Sequence, residues 1–573
     1  MKNIFENLIE KYKLEQEKLL KISSQYTTLR TFAIILAILL FFYGIFFGGA
    51  LLIAIFVGLV IKHGKIKRKI AIIGHKIFLN EKMLDRQNGT WTNFKVKEEW
   101  GRDDNHPYAK DLDIFGKNSL FQFLDETCTY YGSEALADML STIERDLSTI
   151  TSRQQSIEEL AAKIDFCQEL QALGMMAGTH NNPKDLIQYL EKKEAVFAKI
   201  KYIYLLPVAL WVCITSFFLW PGNGLAIGIG VLFAVQGFLF VYFLPKTAPA
   251  LALLYNFNKS MGAFKAMFDI TSKEIFQTPL SQKMQKQLEG SVGFAVRLSR
   301  IESFANMRNG GIIMLVLNLL FLYDLLIVLA LERLKGEGEV DTWLRTLGFF
   351  EYMASAAVVP MAFPHWAKAT FTDDLCITTA DLGHPLLHKP KLNDYTHKNI
   401  SIVTGSNMSG KTTFLRTIGI NMVLANIGTR VCATSFSAPI TDIYTCMRTT
   451  DSLTENISTF YAELKRIKMV ITKTEMPVPM LFLIDEIFRG TNSEDRIEGA
   501  KIVLRNLNKP NVMGLITTHD LAICEIVGES SNYRNYNFKE TYENNEIHFD
   551  YIIREGVSTT RNAKYLMKMV GIN

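Results

Sequence analysis

A glycine-rich loop at residues 405–412 carries the residue types that bind nucleotide phosphates. The loop reads Gly405-Ser406-Asn407-Met408-Ser409-Gly410-Lys411-Thr412, which fits the pattern G-x-x-x-x-G-K-[ST], and Thr413 follows it. The short apolar run at residues 400–404 predicts a buried strand before the loop, and we expect a helix after the loop. In that setting backbone N–H groups and the helix N-terminus hold phosphate oxygens. Lys411 is predicted to reach the β- and γ-phosphates of ATP, and the Thr412 hydroxyl to bind Mg²⁺.

Two adjacent carboxylates follow a second apolar run at residues 480–486, MLFLIDE. The run predicts a strand that ends beside the phosphate loop. Asp485 is expected to hold Mg²⁺ through water, and Glu486 to orient and polarise the attacking water as the base of phosphoryl transfer. If the dipeptide stood alone, a strand that ends in two surface acids would be an adequate alternative. The distance of Asp485-Glu486 downstream of the phosphate loop favours the catalytic interpretation.

A third apolar run, residues 512–517, ends in Thr518-His519-Asp520. A histidine just past a core strand of such a sheet is placed to contact the γ-phosphate, so we predict that His519 is a sensor of bound nucleotide. A structural role is the usual function of an isolated histidine in this position.

Ser458 and Thr459 precede a helix whose apolar residues recur at Phe460, Leu464, Ile467 and Ile471. The start of a helix is a natural anion site, so Ser458 is a candidate phosphate ligand. Simple N-capping explains the same position equally well.

Uncharged segments outside this region indicate membrane hairpins. Residues 31–61 contain no charge and have Gly48-Gly49 near the middle, which favours two short helices, although one long tilted helix remains open. Lysines and arginines on both flanks favour a hairpin with both ends in the cytoplasm. A second pair, residues 203–220 and 225–244, flanks the turn signal Pro-Gly-Asn-Gly.

The apolar stretch 311–331 carries Asn318 and Asp324, so a buried core helix is favoured over a further span. Four spans keep the middle region and the nucleotide-binding region on the cytosolic side, where ATP is available. We therefore expect a multi-pass protein of the cell membrane, with both termini and the nucleotide-binding region in the cytoplasm. The seven cysteines lie far apart, which is typical of a reducing compartment.

The C-terminal motifs resemble those of the MutS family. The resemblance rests on TGSNMSGKTTFLR at 404–416, LIDEIFRGTNSED at 483–495 and TTHD at 517–520, and it covers about residues 380–573. Residues 106–160 and 250–370 are more weakly similar to the family's helical core and levers. The resemblance implies an α/β P-loop ATPase domain of the ABC/MutS type, preceded by a mainly α-helical core and lever region that here carries transmembrane helical hairpins.

The resemblance also implies a homodimer with shared sites, in which Ser458 of one subunit reaches the γ-phosphate bound by the other. The expected organisation is a charged N-terminal helix (1–30), a transmembrane hairpin (31–62), a linker and helical core (63–202), a second hairpin (203–244), a returning lever and core (245–380) and a MutS-type ATPase domain (381–573).

Composition and motifs favour a membrane ATPase over a DNA-repair protein or a transporter. Hydrophobic residues make up 49% of the chain and the net charge is only +5, which is weak for a nucleic-acid binder. No segment resembles the family's mismatch-reading domain with its Phe-x-Glu wedge, so any DNA binding is expected to lack mismatch specificity. The predicted hairpins contain no charged residue to line a transport path, and the ABC transporter signature LSGGQ is missing. The expected partners are membrane lipid and a second copy of the chain, with DNA as a possible partner that is bound without mismatch specificity.

Overall fold

The computed structural model describes residues 4–100, 105–177, 184–192, 202–256, 260–308, 310–406, 408–447, 459–488, 492–543 and 546–558. Contacts divide the chain into two compact units. The first comprises Met1–Glu81, Glu126–Ala135 and Asp165–Tyr352, and the second comprises Lys82–Asp125, Leu136–Ile164 and Met353–Asn573. The second unit thus includes residues 82–125 and 136–164, which were predicted to belong to the linker and helical core, and residues 353–380, which were predicted to belong to the returning lever and core.

Helices dominate the chain before residue 365. They are α1 (Ile4–Phe42), α2 (Phe46–Asn88), α3 (Leu120–Leu124), α4 (Tyr130–Ser141), α5 (Leu147–Ala162), α6 (Ile164–Ala177), α7 (Lys184–Glu191), α8 (Leu205–Leu219), α9 (Asn223–Asn256), α10 (Ser260–Lys273), α11 (Pro279–Gln287), α12 (Ser291–Met307), α13 (Gly311–Phe321), α14 (Tyr323–Glu332), α15 (Val340–Ala356) and α16 (Val358–Ala362).

The first apolar segment forms two helices, α1 and α2, but the predicted turn position is wrong. The break lies at residues 43–45, where Gly44 has φ +76°, and Gly48 and Gly49 are inside α2. A Cβ on Gly49 would lie 2.8 Å from the Phe41 ring, so this glycine allows close packing of α2 against the end of α1. The helices also extend well beyond 31–62, so both of those predicted boundaries fall inside continuous helices.

The second apolar segment forms α8 and α9, which pack against each other. The turn is shorter than predicted because α9 begins at Asn223, and α9 continues past residue 244 to Asn256. Among the described residues, α1, α2 and α9 are long and apolar enough to cross a membrane, whereas α8 has 15 residues and is shorter. Little of the apolar part of these three long helices is buried within the chain.

The stretch 311–331 is not one helix. Leu322 adopts a left-handed conformation with φ +51°, which separates α13 from α14. The prediction of a buried core helix is right for α14, where Asp324, Val328 and Leu331 are buried, and wrong for α13, whose Ile312 is 80% exposed. An apolar composition alone does not show which half is covered, because that depends on neighbours distant in sequence.

The second unit is built around a six-stranded sheet. The strands of the chain are β1 (Ala367–Lys368), β2 (Thr370–Phe371), β3 (Cys376–Leu382), β4 (Asn393–Lys398), β5 (Ile400–Thr404), β6 (Arg430–Val431), β7 (Ser435–Ala438), β8 (Asp442–Cys446), β9 (Met480–Asp485), β10 (Val512–Thr518), β11 (Tyr533–Glu543) and β12 (Glu546–Glu555). The large sheet has the order β12-β11-β5-β10-β9-β8, and all neighbours pair in parallel except β11 with β12. Smaller sheets pair β2-β7-β3-β4 and β1-β6.

The three strands predicted from apolar runs are the central strands β5, β10 and β9. Every residue of each is buried, as expected when both faces of a parallel sheet are covered. The helices α17 (Lys411–Asn426), α18 (Thr459–Lys473) and α19 (Ser493–Leu507) belong to the same unit, and α18 and α19 supply apolar side chains to the core of the sheet. Since the central strands are parallel, their carboxyl ends lie at one edge of the sheet.

Candidate functional site

The loop that joins β5 to α17 requires glycine at two positions. Gly405 and Gly410 have φ values of +150° and +101°, which L-residues rarely adopt. A Cβ on Gly405 would also lie 2.8 Å from the Ser409 hydroxyl and 3.1 Å from the Phe538 carbonyl. These two glycines let the chain pass from a buried strand into the helix through a tight loop. Asn407 lies outside the described residues.

Lys411 is the first residue of α17 and is almost fully buried, with 4% of its surface exposed. Its ammonium donates to the carbonyl oxygens of Gly405, at 3.0 Å, and Ser406, at 2.8 Å. The ammonium therefore lies inside the loop, where it can exchange these carbonyls for phosphate oxygens. The Ser406 hydroxyl donates to Glu540 of β11 at 2.9 Å and ties the loop to the neighbouring strand.

Thr412 and Asp485 form the pair of oxygen donors that was predicted to hold a metal ion. The Thr412 hydroxyl donates to Asp485 Oδ2 at 2.8 Å, and the Thr517 hydroxyl donates to Asp485 Oδ1 at 2.6 Å. Hydroxyl and carboxylate oxygens suit Mg²⁺, which prefers hard ligands and keeps several waters. The donor set therefore fits this ion, and Thr517 is a supporting residue that the sequence analysis missed.

Glu486 follows Asp485 at the end of β9 in a left-handed conformation, with φ +50°. Its N–H donates to the Thr517 hydroxyl at 3.0 Å. Its carboxylate accepts from His519 Nε2 at 2.5 Å, and the same oxygen lies 3.9 Å from the Lys411 ammonium. Three of the predicted residues are thus brought together at the carboxyl edge of the sheet.

The helix predicted after Ser458 is α18, which begins at Thr459. Ser458 itself lies outside the described residues. Ile467 is buried in the core of the sheet, while Leu464 and Ile471 are partly buried against it, as their spacing predicts. Glu463 on this helix is buried, and its carboxylate accepts a hydrogen bond of 2.6 Å from the N–H of Phe488. Phe488 lies two residues after Glu486.

A cavity of about 310 Å³ lies next to the phosphate loop, at the lower end of the ~300–1,000 Å³ typical of small-molecule sites. It is lined mainly by apolar surface and by residues from several elements, among them His384, Pro390, Phe414, Phe538 and Tyr551. Burial, helped by the nearby Arg416 charge, lowers the pKa of His384 to about 4, so its ring is neutral near pH 7. No sequence motif marks this cavity, because its walls come together only through the packing of α17, β11 and β12 with the β3–β4 connection.

Comparison with known proteins agrees with this architecture. Residues 401–572 match the family model of MutS domain V. The chain is 33% identical to MutS protein homolog 4 of Mus musculus over 212 residues, which cover 34% of this chain and 22% of that protein. It is 24% identical to the DNA mismatch repair protein MutS of Leptospira interrogans over 561 residues, which cover 88% of this chain and 63% of that protein.

The chain thus contains a region that matches MutS domain V, and it is similar to a MutS protein over most of its length. A third relative, the DNA mismatch repair protein MutS of Aquifex pyrophilus, is 25% identical over 259 residues, or 44% of this chain and 30% of that protein. The chain therefore matches between about a fifth and just under two thirds of the length of these relatives. The range matched by the MutS domain V model contains the phosphate loop, Thr412, Asp485 and His519.

Proposed function

We propose that this protein is a membrane-anchored MutS-type ATPase that binds ATP with Mg²⁺ and hydrolyses it. The single observation that carries the proposal is the convergence of Lys411, Thr412, Asp485, Glu486 and His519 at one edge of the sheet, within the distances given above. A phosphate-binding loop, an oxygen pair that suits Mg²⁺ and a carboxylate held beside them are the parts that phosphoryl transfer requires.

Phosphate binding would use the loop and the first turn of α17. Lys411 would exchange its bonds to the Gly405 and Ser406 carbonyls for the β- and γ-phosphate oxygens, and backbone N–H groups at the start of α17 would bind the same anion. Bound Mg²⁺ would neutralise charge that develops on the phosphates. Thr412 and Asp485 would hold the ion, and Thr517 keeps the Asp485 carboxylate oriented toward it.

Glu486 would orient the attacking water and accept its proton. Its backbone is fixed by the Thr517 hydroxyl, and its carboxylate is oriented by His519. When Lys411 turns to the phosphates, its ion-pair contact of 3.9 Å with Glu486 would weaken, and the Glu486 carboxylate could then accept a hydrogen bond from the attacking water. His519 would then report on the γ-phosphate through its link to Glu486.

The cavity beside α17 would take the nucleotide base. It opens next to Gly410 and Thr413, and its apolar lining with the neutral His384 suits a flat aromatic ring with a few polar edges. This assignment goes beyond the sequence, which did not identify any base-contacting residue.

The protein would act as a homodimer with shared sites, in which Ser458 of one subunit completes the site of the other. The hydrolysis cycle would move the helical levers and, through them, the α1–α2 and α8–α9 hairpins in the lipid bilayer. These hairpins would cross the cell membrane and leave both termini and the ATPase region in the cytoplasm. The exposed apolar surface of α1, α2 and α9 supports a lipid environment.

Two substitutions test the catalytic assignment in the purified full-length protein. Lys411→Ala is expected to weaken both ATP binding and turnover, whereas Glu486→Gln is expected to keep binding and lose turnover. The matched controls are Lys509→Ala and Glu475→Gln, which change exposed residues of the same unit and leave both properties unchanged. Wild-type hydrolysis by the Glu486→Gln protein would show that another group is the base.

A second candidate function is DNA binding without mismatch specificity. It is favoured by the relatives that are named DNA mismatch repair proteins. Titration of the detergent-solubilised protein with duplex DNA at several salt concentrations tests it, because phosphate contacts weaken steeply with salt. Stimulation of ATP hydrolysis by DNA, rather than by lipid, would favour this second function.

A further inference from the structure

Helix α13 runs beside the α8–α9 hairpin rather than into the core of the first unit. At its far end, the Phe321 ring stacks on Trp211 of α8 at 5.7 Å, and Leu319 packs against Gly237 of α9. At its near end, Gly311 and Met314 line a cavity together with the C-terminal part of α9. Helix α13 is therefore antiparallel to α9 and extends from the foot of α9 to the middle of its apolar run.

The outer face of α13 is apolar and uncovered. Ile312, Ile313, Leu315 and Val316 are between 46% and 80% exposed, and Asn318 is the buried residue of this helix. The segment from Gly310 to Tyr323 contains no charged residue. Exposed apolar surface of this kind is unfavourable in water and is typical of a helix that faces lipid or a partner.

The polar groups at the end of α13 are turned inward. The Asn318 side chain accepts from the Asp324 N–H at 3.0 Å, across the left-handed turn at Leu322. The Asp324 carboxylate is buried and lies 3.4 Å from the Arg308 guanidinium. Gln236, next to the Gly237 contact on α9, is fully buried as well. Helices in a membrane show this arrangement, in which polar side chains face the interior of the helix bundle and apolar side chains face the lipid.

We propose that α13 is a re-entrant membrane helix that enters the bilayer from the cytoplasmic side next to α8 and α9 and returns through the turn at Leu322. Its 11 residues span roughly 16 Å, about half of a ~30 Å hydrocarbon core. Gly237 lies roughly 13 Å along α9 from Lys246, which marks the cytoplasmic boundary, so the end of α13 reaches a similar depth.

Lipid acyl chains are the occupant that fits the outer face of α13. The face is continuous with the exposed apolar surface of α9, on which Phe238 is 68% exposed. Because a re-entrant helix returns to the side from which it came, it adds membrane contact without changing the location of the residues that follow. This inference rests on the proposed membrane anchoring.

Spin labels on introduced cysteines test the depth of α13 in the full-length protein reconstituted in phosphatidylcholine–phosphatidylglycerol vesicles. Labels replace Ile312 and Val316 on the exposed face, and Phe238 and Lys283 serve as lipid and water references. The partly exposed native cysteines at 213 and 376 are changed to serine, while the other five are buried. Collision with oxygen reports lipid, and collision with a water-soluble nickel chelate reports water.

The expected result is oxygen-dominated collision at positions 312 and 316, with 316 deeper by roughly 6 Å because it is four residues further along the helix. Water-type collision at both positions, with lipid-type collision at Phe238, would overturn the re-entrant helix and leave the membrane anchoring intact. Equal depths at positions 312 and 316 would indicate a helix that lies flat on the membrane surface. Shielding of both positions from both reagents would indicate that a second copy of the chain covers the helix. Either result would also overturn the re-entrant helix. Water-type collision at Phe238 would refute the anchoring itself.

Discussion

The hydroxyl of Thr517 contacts the Asp485 carboxylate and the Glu486 backbone, so its removal should reduce the proposed hydrolysis without removing any proposed ligand of ATP or Mg²⁺. The side chain is fully buried, donates to Asp485 at 2.6 Å and accepts from the Glu486 N–H at 3.0 Å. Thr517→Val keeps the shape and removes the hydroxyl. A hydrogen bond to a charged group contributes about 1.5–3 kcal/mol. If that energy serves to orient Asp485, kcat should fall roughly 10- to 150-fold.

The assay is steady-state ATP hydrolysis at saturating Mg²⁺, together with equilibrium binding of a fluorescent ATP analogue and thermal unfolding. Thr517→Ser retains the hydroxyl and should keep most of the activity. Thr474→Val removes a buried hydroxyl that donates to the Ile471 carbonyl at 2.7 Å, away from the site, and controls for loss of stability. Wild-type kcat in Thr517→Val, or an equal loss in Thr474→Val, would refute the positioning role.

Three further predictions concern topology, assembly and DNA. Cysteines that replace Gly44 and Asn223, at the tips of the two hairpins, should react with an impermeant thiol reagent from outside the cell. A cysteine that replaces the exposed Glu339 should not react. External labelling at position 339 would show that α13–α14 crosses the membrane completely. A Ser458 variant and a Glu486 variant, each inactive alone, should regain part of the activity when mixed, and confirmed mixed dimers without recovery would contradict shared sites. Competition between matched and mismatched duplexes should show little discrimination; a preference above about tenfold, or ~1.4 kcal/mol, would reveal an unrecognised reader.

The sequence predicts the centre of the sheet well because parallel strands covered on both faces must be uninterrupted apolar runs. Residues 400–404 and 512–517 were identified in this way, and each is followed by its predicted site residues. The hydrogen bond from Thr517 to Asp485 was not predicted, because it depends on the register between β9 and β10, in which these two residues pair. The cavity beside α17 was missed for a similar reason, since its walls are distant in sequence.

The predicted membrane segments show where composition is insufficient to predict structure. Gly48-Gly49 resembles a turn signal, but those glycines serve helix packing, and the turn uses Gly44, whose φ is +76°. In the same way, 311–331 is mostly apolar along its whole length, yet its first half is largely exposed and its second half is buried. Hydropathy measures the preference of a segment for a nonpolar environment, and it cannot distinguish lipid from the protein interior.

In the second unit, residues 111–113 connect α17, the helix that follows the phosphate loop, to β8, the strand that precedes the Ser458 segment. Arg416, on the helix that begins at Lys411, donates to Asp113 at 2.9 Å. Two residues earlier, Asp111 accepts from the Thr445 hydroxyl at 2.7 Å and from the Met447 N–H at 3.1 Å. A shift of α17 on phosphate binding would therefore move residues 111–113 and, with them, the end of β8. This connection gives a physical reason for the packing of residues 105–125 with the rest of the second unit, because these residues connect the part that is proposed to bind phosphate to the part that would face a second subunit.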